Sequence, residues 1–94
     1  MPSQPSLITF YKSSLCPRCM LARRELNRLR QKYPDLEVEE VDVVLNPLRA
    51  WQSGIRMIPA LQAGDQLLAG IILEAEDIRR FVDRHLARFG QAAQ

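Results

Sequence analysis

The sequence predicts one α/β domain of order β-α-β-α-β-β-α, built as a four-stranded mixed sheet with helices on both faces. Three observations predict it. An apolar, β-rich run at residues 7–11 is followed at once by a long stretch with apolar residues at helical spacing. A second strand-like run then leads into the helix-start signal Asn46-Pro47. Two short apolar runs around Gly64-Asp65 read as a hairpin, and an amphipathic helix follows them. The first two strands flank a helix, so they should pair in parallel through a right-handed crossover, while the hairpin adds two antiparallel strands.

Each element has its own warrant. Residues 7–11 are nearly continuously apolar, which suits a central strand buried on both faces. Residues 12–15 form a short loop. From Pro17 to about Lys32, the positions Cys19, Ala22, Leu26, Leu29 and Tyr33 recur at three and four, with Arg23, Arg24, Arg28 and Arg30 mostly on the other side. Pro34-Asp35 stops that helix. Residues 36–45 read as the second strand, with Asn46 as N-cap and Pro47 as first residue of a helix ending near Gly54. Residues 60–63 and 66–69 are the hairpin arms. The last helix spans about 74–89, with Ile78, Phe81, Val82, Leu86 and Phe89 on one face, acids in its first turn and Arg84 and Arg88 at its end. Residues 1–6 read as a flexible lead, 7–90 as the domain, and 91–94, beyond Gly90, as a frayed tail.

Composition bounds the function. Ninety-four residues make one domain, and 47% hydrophobic with 26% charged residues is ordinary for a globular protein. No apolar run is long enough to span a membrane, and the first residues lack the basic and apolar regions of a signal peptide. A cytoplasmic protein is the expectation. Net charge is +2, unevenly distributed: residues 1–33 carry seven bases and one acid, residues 34–47 five acids and no base. No aromatic or basic recognition pattern accompanies the charge, so nucleic acid is not an expected partner. The acids Glu37, Glu39, Glu40 and Asp42 read as a solvated strand face opposite the basic helix, and His85 as a packed histidine.

The two cysteines of the chain, Cys16 and Cys19, sit where the first strand hands over to the first helix, in Ser14-Leu15-Cys16-Pro17-Arg18-Cys19. Pro17 suits the first helical position, because its missing N–H would be an orphan there. Free N–H groups and the positive end of the helix then face the Cys16 sulfur and favour thiolate over thiol. Cys19, one turn on, can reach Cys16 to form a disulfide, which makes Cys16 the candidate nucleophile and Cys19 the resolving thiol.

This element order, with Cys-Pro-x-Cys after the first strand and Ile58-Pro59 just before the hairpin, resembles the thioredoxin/glutaredoxin superfamily over about residues 7–89. The resemblance implies a thioredoxin-like fold, a cis Pro59 against the dithiol, and thiol–disulfide exchange without cofactor or metal. It implies that Met57, Ile58 and Pro59 flank the substrate, the residue before the proline offering backbone groups to a substrate strand. Cys16-Pro17-Arg18-Cys19 is closest to the glutaredoxin motif, and the nearest likeness is to small glutaredoxin-like redoxins. Thioredoxins carry a buried Asp six residues before the nucleophile, where this chain has Phe10. Glutathione-binding members have a glycine pair where this chain has Gly70-Ile71-Ile72-Leu73, which argues against glutathione binding and leaves glutathione an open question as co-substrate. Lys12 is a candidate for anion contact, and Arg18, between the cysteines, for tuning redox poise and partner choice. Trp51 stands where the family can flank its groove, although plain packing is the simpler account of it. The partners implied are protein disulfides and a reductant, either a thioredoxin-reductase-type enzyme or glutathione, acting on a monomer. Two alternatives stay open: a metal or iron–sulfur module using the two thiols, and a thioredoxin-fold interaction module.

Overall fold

The computed structural model describes residues 7–69 and 74–90, the side chains of 88–90 excepted. The order is β1 (Leu7–Lys12), α1 (Pro17–Lys32), β2 (Glu37–Asp42), α2 (Pro47–Gln52), β3 (Ala60–Ala63), β4 (Gln66–Ala69) and α3 (Ala75–Gly90). The four strands lie in the order β2-β1-β3-β4. β1 pairs parallel with β2, from Leu7↔Glu37 to Lys12↔Asp42, and antiparallel with β3 through Thr9↔Gln62 and Tyr11↔Ala60. This is a thioredoxin-like fold with a mixed sheet, as the sequence predicts. Among the described residues no helix is long and apolar enough to cross a membrane.

The larger core lies on one face of the sheet. Ile8 and Phe10 of β1 and Leu61 and Ala63 of β3 pack there against Cys19, Ala22, Leu26 and Leu29 of α1 and against Ile78 and Val82 of α3. The other face holds a smaller cluster in which Tyr11, Val41, Ile55 and Ala60 pack with Ala50 of α2. Burying about ten side chains of this kind drives the fold at roughly 1.5–3 kcal/mol for each of the larger ones, before the entropy cost of ordering the chain.

The element ends follow local chemistry. Tyr33 closes α1 by donating its N–H to Leu29 O at 2.8 Å, and Pro34 follows. α2 ends in a two-bond wrap: Gly54 N–H donates to Trp51 O and Ile55 N–H to Ala50 O, both at 3.0 Å. Gly54 takes φ +81° there, and Gly64 takes φ +61° in the hairpin turn, both conformations that glycine adopts without a Cβ clash.

Two expectations need correction. The second strand stops at Asp42, not at residue 45, although Val43, Val44 and Leu45 are good strand formers. Asp42 Oδ1 accepts from the Val44 and Leu45 N–H groups at 2.8 and 3.4 Å, and this side-chain turn takes the chain out of the sheet. Asn46 occupies the N-cap position but makes no side-chain cap; its Nδ2 instead donates to Asp42 O at 3.0 Å. The expectations for residues 1–6, for the Gly70–Leu73 run, for the Arg88 and Phe89 side chains and for 91–94 lie outside what is described.

Candidate active site

The dithiol sits where the sheet meets α1. β1 ends at Lys12, a short loop turns back with Cys16 N–H donating to Ser13 O at 3.2 Å, and Cys16 becomes the N-cap of α1 with Pro17 as its first residue. The Cys19 N–H points at the Cys16 sulfur, 3.1 Å away. A helix-terminal N–H aimed at sulfur stabilises negative charge on it, which is what a nucleophilic thiol needs. Cys16 is half-buried and Cys19 buried, both as free thiols. Burial above all pushes the Cys19 thiol up to about 12, and its hydrogen bond to Cys16 adds to this; a hydrogen bond from the Ser13 region and the charge of Lys12 pull the other way.

Ile58–Pro59 is a cis peptide bond, and Pro59 is fully buried. It immediately precedes Ala60, which pairs with Tyr11. The cis segment therefore meets the same end of β1 from which the Cys16 loop departs. Ile58 and Cys16 both pack against the larger core, and Met57 beside them is 40% exposed. Leu15, 91% exposed, and Met20 add apolar surface around the motif.

The remaining candidates divide. Lys12 Nζ lies 3.8 Å from Asp42 Oδ2, and the side chain lines a cavity of about 210 Å³ together with Cys19, Phe10 and Arg23. Arg18 is exposed and borders a separate open groove with Arg24, Arg28 and Glu25. Trp51 does not pack into the core; it is 63% exposed, with the Arg56 guanidinium 3.7 Å from its ring centroid. The acidic strand divides its charges, Glu40 pairing with Arg23 of α1 at 3.1 Å and Glu39 with Arg49 of α2 at 2.8 Å. His85 is buried on α3, as expected of a packed histidine.

Two features escape the sequence reading. Glu25 is buried on the inner stripe of α1, its Oε1 3.5 Å from Arg28 Nη1 and its Oε2 without a hydrogen-bond partner among the described residues. Its place three residues beyond Ala22 is the available signal. The second is polar: the hydroxyl of Tyr11, a residue expected to be buried, donates to Gln62 Oε1 at 3.0 Å and lies 2.9 Å from Ser53 Oγ. Among the described residues no group of three or more His, Cys, Asp or Glu side chains is arranged to hold a metal.

No protein-family model matches the chain. It is similar to a thioredoxin of Methanocaldococcus jannaschii, 34% identical over 55 residues, which are 57% of this chain and 65% of that protein's length. In solved structures, it resembles thioredoxin 1 of Thermosipho africanus with a TM-score of 0.70 at 16% identity, covering 93% of this chain and 97% of the other. Mitochondrial thioredoxin 3 of Saccharomyces cerevisiae in its oxidized form gives a TM-score of 0.67 at 23% identity, over 83% and 76% of the two chains.

Proposed function

We propose that the chain is a dithiol–disulfide oxidoreductase of the thioredoxin-like superfamily, from its fold, its likeness to thioredoxins and the geometry of its dithiol. One observation carries the proposal. A half-buried Cys16 at a helix start holds a backbone N–H 3.1 Å from its sulfur, with the second thiol, Cys19, buried one turn on.

Cys16 thiolate attacks one sulfur of a substrate disulfide, forming a mixed disulfide and expelling the other substrate sulfur as thiolate. Cys19 then loses its proton and attacks Cys16; the Cys16–substrate bond breaks, the Cys16–Cys19 disulfide forms, and the substrate leaves reduced by two electrons. A reductant returns two electrons to the pair. Pro59 and the backbone of Ile58 align the incoming segment, Met57 and Pro17 border it, and Arg18, exposed between the two cysteines in the chain, tunes partner choice from the adjoining groove.

Cys16-Pro17-Arg18-Cys19 favours a glutaredoxin-like redoxin that serves protein disulfides as a monomer, since one chain supplies both thiols and the cis proline. A reducing compartment, the cytosol, suits two free thiols. A thioredoxin-reductase-type enzyme is the favoured reductant and glutathione the second choice. The metal reading gains no support, because two thiolates leave a tetrahedral site half filled.

The test is reduction of a protein disulfide by the reduced chain. Wild type should reduce it stoichiometrically, Cys16→Ser should fall to background, and Cys19→Ser should accumulate a covalent mixed disulfide through Cys16. A Cys16→Ser variant as active as wild type would overturn the proposal.

A further inference from the structure

The second half-reaction poses a problem that the geometry itself answers. Cys19 has to become a thiolate before it can attack, yet it is 3% exposed and its thiol is pushed up to about 12, chiefly by burial. The groups around it come from five elements. β1 contributes Phe10 and Lys12, the following loop Ser13 and Ser14, and α1 itself Cys16, Met20 and Arg23. β3 and α3 bring apolar side chains to the surrounding cluster, among them Leu61, Ile78 and Val82. Among the described residues that line the cavity there is neither a carboxylate nor an imidazole to accept the proton.

Two cations line that cavity, and they are differently engaged. Arg23 is drawn outward, its Nε 3.1 Å from Glu40 Oε2, with the side chain 59% exposed. Lys12 is 23% exposed and sits at a looser 3.8 Å from Asp42. The register Lys12↔Asp42 fixes both residues at the ends of paired strands, so the ammonium is tethered beside the cavity.

We infer that Lys12, tethered by Asp42, is a positioning cation for the resolving step, favouring the Cys19 thiolate in the cavity the two side chains share. The inference rests on the oxidoreductase reading above and deepens it. The proton of Cys19 passes to water, for which a space of about 210 Å³ is ample. The thiolate stays beside the ammonium until its electron pair forms the bond to Cys16 and the substrate sulfur departs with the pair from the broken bond. The charge of Lys12 acts on Cys19 in this direction, lowering the cost of ionising it.

Magnitude follows from two opposing effects. Taking roughly one unit, the low end for a neighbouring opposite charge, loss of the Lys12 charge cuts the thiolate fraction about tenfold. The remaining thiolate is more basic and more nucleophilic, with a Brønsted slope of about 0.4–0.5, which restores part of the rate. The net expectation is a fall of about three- to fourfold.

The experiment mixes reduced protein with dithiodipyridine, a neutral disulfide that releases one coloured thiopyridone when Cys16 attacks and a second when Cys19 resolves. Lys12→Met should slow the second release by about three- to fourfold across neutral pH, leaving the first unchanged, and Lys12→Arg should restore it. Lys12→Gln replaces Lys12→Met if the latter does not fold. An unchanged second release in the neutral variant overturns the inference. So does a Lys12→Arg as slow as Lys12→Met, or equal slowing of both releases, since either marks a role in shape rather than charge. Absence of any release from wild type would instead overturn the oxidoreductase reading itself, and this inference with it.

Discussion

The two faces of the sheet are covered unequally, and the site lies where they meet. On one face α1 and α3 bury a continuous apolar cluster that includes Cys19. On the other, a six-residue α2 adds Ala50 to four further buried residues, while its Leu48 and Trp51, and Leu45 just before it, remain exposed. Ile58 packs against both clusters, immediately before the cis proline. The thick face thus buries Cys19 beside the cavity it lines, and residues 57–59, proposed above to border the substrate, join the thin face to it. Stability and recognition are divided between them.

That division can be broken first at its strong side. Leu26→Ala removes a fully buried side chain from the thick face and should cost about 2–5 kcal/mol, whereas Trp51→Ala on the thin face should cost under about 1 kcal/mol. Urea midpoints at a common slope measure both. Similar losses at the two sites would show that the faces share the load.

A second test uses pH and the buried thiol. An unfolded chain releases the Cys19 proton near 9.0, but the folded chain keeps it until about 12. Between those values the unfolded state binds fewer protons, so the reduced protein loses stability as pH rises. Cys19→Ala should lose less over the same window, measured by denaturant unfolding under reducing conditions. Parallel curves for the two proteins would show that the thick face does not withhold this thiol from water.

The smallest effect sharpens the contrast at the surface. The Arg49 guanidinium lies against Glu39 in a two-pronged pair, at 3.1 and 2.8 Å, and holds its carboxyl below the usual range. Glu39→Gln should cost about 0.2–1 kcal/mol at neutral pH. The pair's contribution is present above the ordinary carboxyl value of 4.5 and disappears as pH falls through the lowered folded value, so variant and wild type should converge in acid.

What the sequence discloses and what it conceals follow the same physical line. The bounds of α1, the hairpin and the dithiol junction are local matters of periodicity, Pro17 and Pro34 punctuation and a glycine turn, and they are legible. The end of β2 is not, because Val43, Val44 and Leu45 favour a strand until the Asp42 carboxylate captures the Val44 and Leu45 N–H groups. Trp51 misleads because an aromatic residue usually packs inward, whereas α2 is too short to enclose it. The pairing of Lys12 with Asp42, thirty residues along, becomes visible once the parallel register of β1 and β2 is known. A buried acid such as Glu25 hides among polar residues on a basic helix.

The central claim is that Cys16 and Cys19 act as one redox pair. Equilibrating the protein against dithiol buffers of graded potential and counting alkylated thiols by mass tests it most directly. The account predicts that both thiols disappear together in a single two-electron transition, near roughly −270 mV for a cytosolic reductant. Thiols that stay alkylatable at every potential, or that are lost one at a time, would contradict it.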